Sequence, residues 1–217
     1  DMFLAERAKH RYMGLETEIV TPEEIKKIAP ITNIDGIIGG LYDPLDGHLD
    51  PSGTTHAYAK AARMGGATIE THCMVRETNQ RPDDTWNVAT DKGIIHAEHI
   101  VNAAGLWARE VGAMAGVYLP LHPMEHQYLV TETIPMIENM IELGVEHPHV
   151  MDPAGESYLR QEARGLCIGF YEQPCRPWAI DGTSWEFGHE LLPDDFDKIE
   201  DSIDFAYKRF PALETAG

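Results

Sequence analysis

The chain has 217 residues, 43% of them hydrophobic, and 36 acidic against 17 basic side chains give it a formal charge of −19. That length permits a sizeable core in one large or two small domains, and the acidic balance, with no basic stripe against it, repels nucleic acid and anionic membranes. No apolar run approaches the roughly 20 residues of a membrane span, and Cys73, Cys167 and Cys175, odd in number and without a C-x-x-C spacing, read as small, buried, reduced thiols.

Residues 2–12 read as a charged helix and not as a signal peptide. Thr21-Pro22-Glu23-Glu24 then places an N-cap, a first-turn proline and a capping glutamate ahead of a short helix that Pro30 stops. Residues 31–49 are rich in Gly and Asp, so turns should bracket short extended pieces. Asp50-Pro51 opens the best-defined helix, with Ala57, Tyr58, Ala61 and Ala62 as its apolar stripe and Gly65-Gly66 as its stop. Ala67-Thr68-Ile69 reads as a strand continuing loosely to Val75. Trp86–Thr90 and Ile94–Ala97 form a hairpin around Asp91-Lys92-Gly93.

Residues 99–110 carry a distinctive pattern: a short apolar strand (Ile100, Val101), Asn102, then Ala103, Ala104 and Gly105, then a helix bearing Trp107. Small residues at such a turn let a backbone or cofactor approach closely, and a helix start offers N–H groups to an anion. Beyond Leu119 strands predominate, at 127–131, 158–161 and 166–170, before a final helix from about Asp194 to Arg209 anchored by Phe196, Ile199, Ile203, Phe205 and Tyr207. The order implies an α/β part, residues 1–118, followed by an α+β part with a mostly antiparallel sheet, residues 119–217. Residues 1–49 are open to being shared with the second part.

The 99–110 segment resembles a signature of the D-amino-acid-oxidase-like flavin oxidoreductases. Further segments resemble the same family in the same order: 39–51, Gly65-Gly66-Ala67-Thr68-Ile69 with Val75, His126-Gln127-Tyr128-Leu129-Val130-Thr131, Tyr158-Leu159-Arg160-Gln161-Glu162, and Gly169-Phe170-Tyr171-Glu172. Asp-Gly-His-Leu-Asp-Pro and His-Gln-Tyr narrow the likeness to the dimethylglycine and sarcosine dehydrogenase branch. The resemblance implies part of an FAD/NAD(P)-binding-type domain joined to a substrate-binding sheet, FAD as cofactor, and oxidative demethylation of an N-methylated glycine. It places Val75, Ala103, Ala104, Gly105 and Trp107 at the flavin.

The G-x-G-x-x-G turn that such enzymes use for the FAD pyrophosphate is missing from the sequence, as is the family's closing glycine-rich flavin segment. The histidine that carries covalent flavin in this branch lies near the missing turn, so none of the eleven histidines inherits that role. An internal piece of a longer enzyme is therefore expected. It would be cytoplasmic, or in the mitochondrial matrix of a eukaryote, with tetrahydrofolate or an electron-transfer protein as a further partner.

In this frame Arg160, alternating with Tyr158, would grip the substrate carboxylate with its planar fork, its competing role being a surface pair with Glu162 or Glu156. Tyr128 and His126 share a strand face and would border the amine. His122-Pro123-Met124-Glu125-His126 spells H-x-x-E-H, a zinc-peptidase pattern. Pro120 and Pro123 obstruct the helix it needs, however, and in an extended chain its histidines stand about 13 Å apart, so no metal is expected. His147-Pro148-His149 reads as a solvent-facing turn. A zinc hydrolase and a non-catalytic scaffold of the same fold remain the competing readings.

Overall fold

The structure, a computed structural model, describes residues 1–188 and 190–217. In chain order the elements are α1 (Met2–Tyr12), β1 (Glu18–Val20), α2 (Pro22–Ile28), β2 (Gly40–Tyr42), α3 (Pro51–Met64), β3 (Val75–Gln80), β4 (Trp86–Thr90), β5 (Gly93–Ala97), α4 (Ala108–Met114), β6 (Tyr128–Val130), α5 (Pro135–Glu142), β7 (Val150–Asp152), β8 (Ser157–Glu162), β9 (Gly165–Phe170) and α6 (Phe196–Arg209). Short 3-10 turns cover Gly105–Trp107 and Pro211–Thr215. The chain divides into two compact units: residues 1–48, 126–175 and 193–217 form the first, and residues 49–125 and 176–192 the second.

The first unit is built on a four-stranded antiparallel sheet in the order β6-β9-β8-β7. Every residue of the central strand β9 is buried, as expected of a Leu-Cys-Ile run flanked by strands on both sides. Leu159, Leu166, Ile168 and Phe170 pack on one face against Ile137 of α5, Ile199 and Ala206 of α6, and Phe210 and Leu213 beyond it. The buried stripe of α6 is thus Ile199, Ile203, Ala206 and the following Phe210, at helical spacing. Phe196, Phe205 and Tyr207, expected as anchors, point outward, and the Lys208 ammonium lies 5.2 Å from the Phe205 ring centroid. Arg209 fastens the helix end to the sheet through Asp152 at 2.8 Å and to the Asn33 carbonyl at 2.6 Å. The expected capping box of α2 forms, with Glu24 N–H donating to Thr21 Oγ1 and Thr21 N–H to Glu24 Oε2.

The second unit holds the antiparallel meander β3-β4-β5, whose β4–β5 hairpin turns at Asp91-Lys92 as expected. Helix α3 also runs as expected, with the Asp50 carboxylate accepting from Ser52 and Gly53 N–H. Its apolar stripe is nevertheless exposed, Tyr58 by 75%, and no apolar side chain of this unit is buried among the described residues. Two expected strands are absent: residues 67–69 and 100–101 join no ladder among the described residues. β-branched residues supply strand propensity, but a strand exists only when a neighbour takes up its backbone hydrogen bonds. The mixed α/β character with an antiparallel sheet follows the expectation.

Candidate functional site

One face of the four-stranded sheet carries the helices, and the other carries a cluster of rings. Tyr128 on β6 and Tyr158 on β8 stand opposite each other across Gly169 of β9. A Cβ at Gly169 would collide with the Tyr158 ring, so glycine there lets that ring lie across the strand. Tyr158 and Tyr171 are 5.7 Å apart, His149 meets Tyr158 edge-on at 5.7 Å, and His126 meets Tyr171 edge-on at 6.2 Å. Together with Gln127 and Phe170 these residues line a cavity of about 270 Å³. A larger cleft of about 400 Å³ between Thr133–Met136 and Ala212–Ala216 has no ionisable side chain in its lining, so the chemistry points to the ring-lined one. Burial, with Cys167 and Tyr171 nearby, raises the Tyr158 hydroxyl above the ordinary phenol range, and burial lowers the His149 imidazole.

His126 sits at the rim of this cavity, half exposed, with its Nδ1 3.3 Å from Oε2 of Glu172. Glu172 is 3% exposed, and the Lys198 ammonium of α6 lies 3.2 Å from its other oxygen. The Cys175 sulfur is 3.6 Å from His126 Nε2. Gln127 fixes the chain beside His126 by exchanging hydrogen bonds with the backbone of Asp195, ahead of α6. A buried carboxylate on one ring nitrogen orients an imidazole, as in catalytic triads where a histidine serves as a base.

His126, Tyr128 and Tyr158 are therefore brought together, while Arg160 lies two residues farther along the same face of β8, outside the cavity lining. Its Nη1 pairs with Glu162 and donates to the Gln161 carbonyl. His122, in the second unit, faces the Arg109 guanidinium at 3.2 Å, and residues 121–127 form no helix. A neighbouring cation and an unwound backbone overturn the H-x-x-E-H zinc reading. His147, expected at the surface, is 1% exposed, and His149 lines the cavity. Cys175, expected as a small apolar filler, lies instead against a histidine.

In the second unit the turn at 102–107 is held by its own side chains. Asn102 Oδ1 accepts from Ala104 N–H, its amide donates to the Ala108 carbonyl, and the Trp107 indole N–H donates to the Ser184 carbonyl at 2.8 Å. The expected helix begins as a single 3-10 turn, and α4 starts only at Ala108. Gly105 has φ +54°, which explains the glycine by backbone conformation. A Cβ there would meet nothing within 4 Å, and Val101 is 87% exposed, so the surface of the turn is open. Partial burial pushes the Glu110 carboxyl up, but the Thr183 N–H and the Arg109 guanidinium outweigh it and hold it low.

The family described as FAD dependent oxidoreductase matches residues 2–217. The chain belongs to that family. It is similar to mitochondrial dimethylglycine dehydrogenase of Mus musculus, 41% identical over 221 residues that cover 100% of this chain and 25% of the relative. Mitochondrial sarcosine dehydrogenase of Mus musculus is 37% identical over 209 residues, covering 94% of this chain and 22% of that one. Among solved structures, L-proline dehydrogenase from P. horikoshii superposes with a TM-score of 0.75 at 29% identity, covering 95% of this chain and 51% of that one. The chain thus spans about a quarter of the length of the curated relatives it matches. FAD is the cofactor of this oxidoreductase family.

Sequence reasoning missed Glu172, Lys198, His149 and Tyr171 as members of the site. Glu172 had one readable signal. It is an acidic residue two positions after a buried apolar strand, where a buried ion survives only with a partner.

Proposed function

We propose that this chain is a segment of an FAD-dependent amine dehydrogenase that oxidises an N-methylated glycine such as dimethylglycine or sarcosine. The observation that carries the reading is the ring-lined cavity at the four-stranded sheet, with His126 backed by the buried carboxylate of Glu172. Bound FAD supplies an acceptor for the hydride that leaves the carbon beside the amine nitrogen. His126 takes the amine proton, and Glu172 steadies the imidazolium that results. Tyr128 and Tyr158 wall the amine, the raised Tyr158 hydroxyl remaining a neutral hydrogen-bond donor. Arg160 turns from Glu162 to the substrate carboxylate.

The first compact unit serves as the substrate-side lobe, and the second as part of the flavin-side lobe, with Val75, Ala103, Ala104, Gly105 and Trp107 against the cofactor. The exposed Tyr58, Val101 and Tyr118 support this assignment, because so much uncovered apolar surface is stable only beneath further structure. The dehydrogenase relatives weigh against a non-catalytic scaffold. The reading extends to tetrahydrofolate as one-carbon acceptor, an electron-transfer partner and, in a eukaryote, the mitochondrial matrix.

Anaerobic mixing of the full-length, flavin-loaded protein with dimethylglycine or sarcosine should bleach the flavin, and failure with both overturns the proposal. Arg160→Lys should raise KM for the amino acid about tenfold, or ~1.4 kcal/mol, and leave a methylamine without a carboxylate unaffected. Equal effects on both substrates return Arg160 to its ion pair with Glu162.

A further inference from the structure

Strand β9 ends at Phe170, and the residues after it bring two more side chains to His126. Oε2 of Glu172 lies 3.3 Å from Nδ1. The Cys175 sulfur lies 3.9 Å from Nδ1 and 3.6 Å from Nε2. One ring nitrogen, one carboxylate oxygen and one sulfur thus fall within 4.8 Å of one another. A tetrahedral zinc ion, with metal–nitrogen and metal–oxygen distances near 2.0–2.2 Å and metal–sulfur near 2.3 Å, sets its ligand atoms about 3.3–3.6 Å apart. The His126–Glu172 edge already has that length, and small side-chain rotations would shorten the edges that involve sulfur.

We propose that His126, Glu172 and Cys175 form a three-ligand site for a borderline-soft divalent cation, Zn²⁺ above all. The ligand set selects the metal. Imidazole and thiolate favour zinc, whereas magnesium and calcium take oxygen ligands and gain nothing from sulfur. Glu172 is 97% buried and aimed at the site, so its desolvation is already met by folding and it need not be ordered on binding. The Lys198 ammonium lies against the other oxygen, Oε1. That positive charge weakens the site, and the negative charge of the carboxylate and the thiolate outweighs it. The Cys175 thiol proton leaves to solvent as the metal binds. Three protein ligands leave a fourth position for water. This zinc site goes beyond the proposed amine oxidation and does not require it. Where both hold, zinc removes His126 from the cavity and inhibits the enzyme.

The test is a Co²⁺ titration of the full-length, flavin-loaded protein with its thiols reduced, read as a difference spectrum, because Co²⁺ takes the same tetrahedral ligands and reports a bound thiolate by a near-ultraviolet charge-transfer band. About one equivalent should raise that band, an equal amount of Zn²⁺ should bleach it, and an about hundredfold excess of Mg²⁺ should leave it unchanged. Cys175→Ser and Cys175→Ala should each abolish the band while Cys73→Ser keeps it. Glu172→Gln should weaken binding about tenfold or more. A parent protein that shows no sulfur band, or a band that survives Cys175→Ser, overturns the site. Neither result bears on flavin bleaching by methylated glycines, so the two proposals fail separately.

Discussion

Replacing His126 by alanine in the full-length flavoprotein is expected to slow flavin reduction by a methylated glycine about 10²–10⁴-fold at neutral pH, the usual contribution of a positioned general base. His126 stands at the cavity rim, where substrate can reach it, and its Nδ1 faces the buried Glu172 carboxylate at 3.3 Å. Glu172→Gln keeps the shape and removes the charge, so it should give a smaller loss of the same kind. Stopped-flow reduction at saturating substrate separates a chemical role from a structural one. His126→Ala should lower the limiting rate of flavin reduction while flavin occupancy and apparent substrate affinity stay near those of the parent. A loss under tenfold in that limiting rate would leave His126 as a wall of the cavity and assign the proton to another group.

The elements that sequence reasoning located are those specified within a few residues. Thr21 and Glu24 cap α2 by reciprocal hydrogen bonds, Asp50 and Pro51 start α3, and Asp91-Lys92 turns a hairpin, all through contacts between near neighbours. Strands β1, β2 and β7 have three residues each, too few for alternation to register. Helix α5 was missed although Ile137 on it is fully buried, because its eight residues give only two turns of periodicity. Residues 67–69 and 100–101 failed in the opposite sense. Their apolar pattern is real, but pairing depends on strands elsewhere. The site divides along the same line. Alternation on one face made His126, Tyr128 and Tyr158 legible, whereas Glu172 reaches His126 across 46 positions of sequence. A contact of that span is set by the register of β6 on β9, which no local signal encodes.

Acid should unfold this chain partly through His147. The residue is 1% exposed, its backbone N–H donates to Gln161 Oε1, its Nδ1–H donates to the Pro148 carbonyl at 2.8 Å, and its buried Nε2 has no partner among the described residues. Burial pushes its pKa down to about 4 from 6.5, against the smaller upward pull of the Pro148 carbonyl. Above pH 6.5 the ring is neutral in both folded and unfolded chains and stability does not depend on it. Between 6.5 and 4 the unfolded chain binds a proton that the folded one refuses, so stability falls as pH drops. Below 4 both forms are protonated and the loss levels off at about 3 kcal/mol. His147→Leu removes the titration at similar volume. At pH 7.5 it leaves Gln161 and Pro148 without a well-placed neighbour, but the difference between variant and parent should shift in the variant's favour by about 3 kcal/mol on going from pH 7.5 to pH 4. Urea unfolding of both proteins at each pH measures that shift, and other groups cancel in the comparison. Parallel stability curves would mean that His147 accepts its proton in the folded chain as readily as in water.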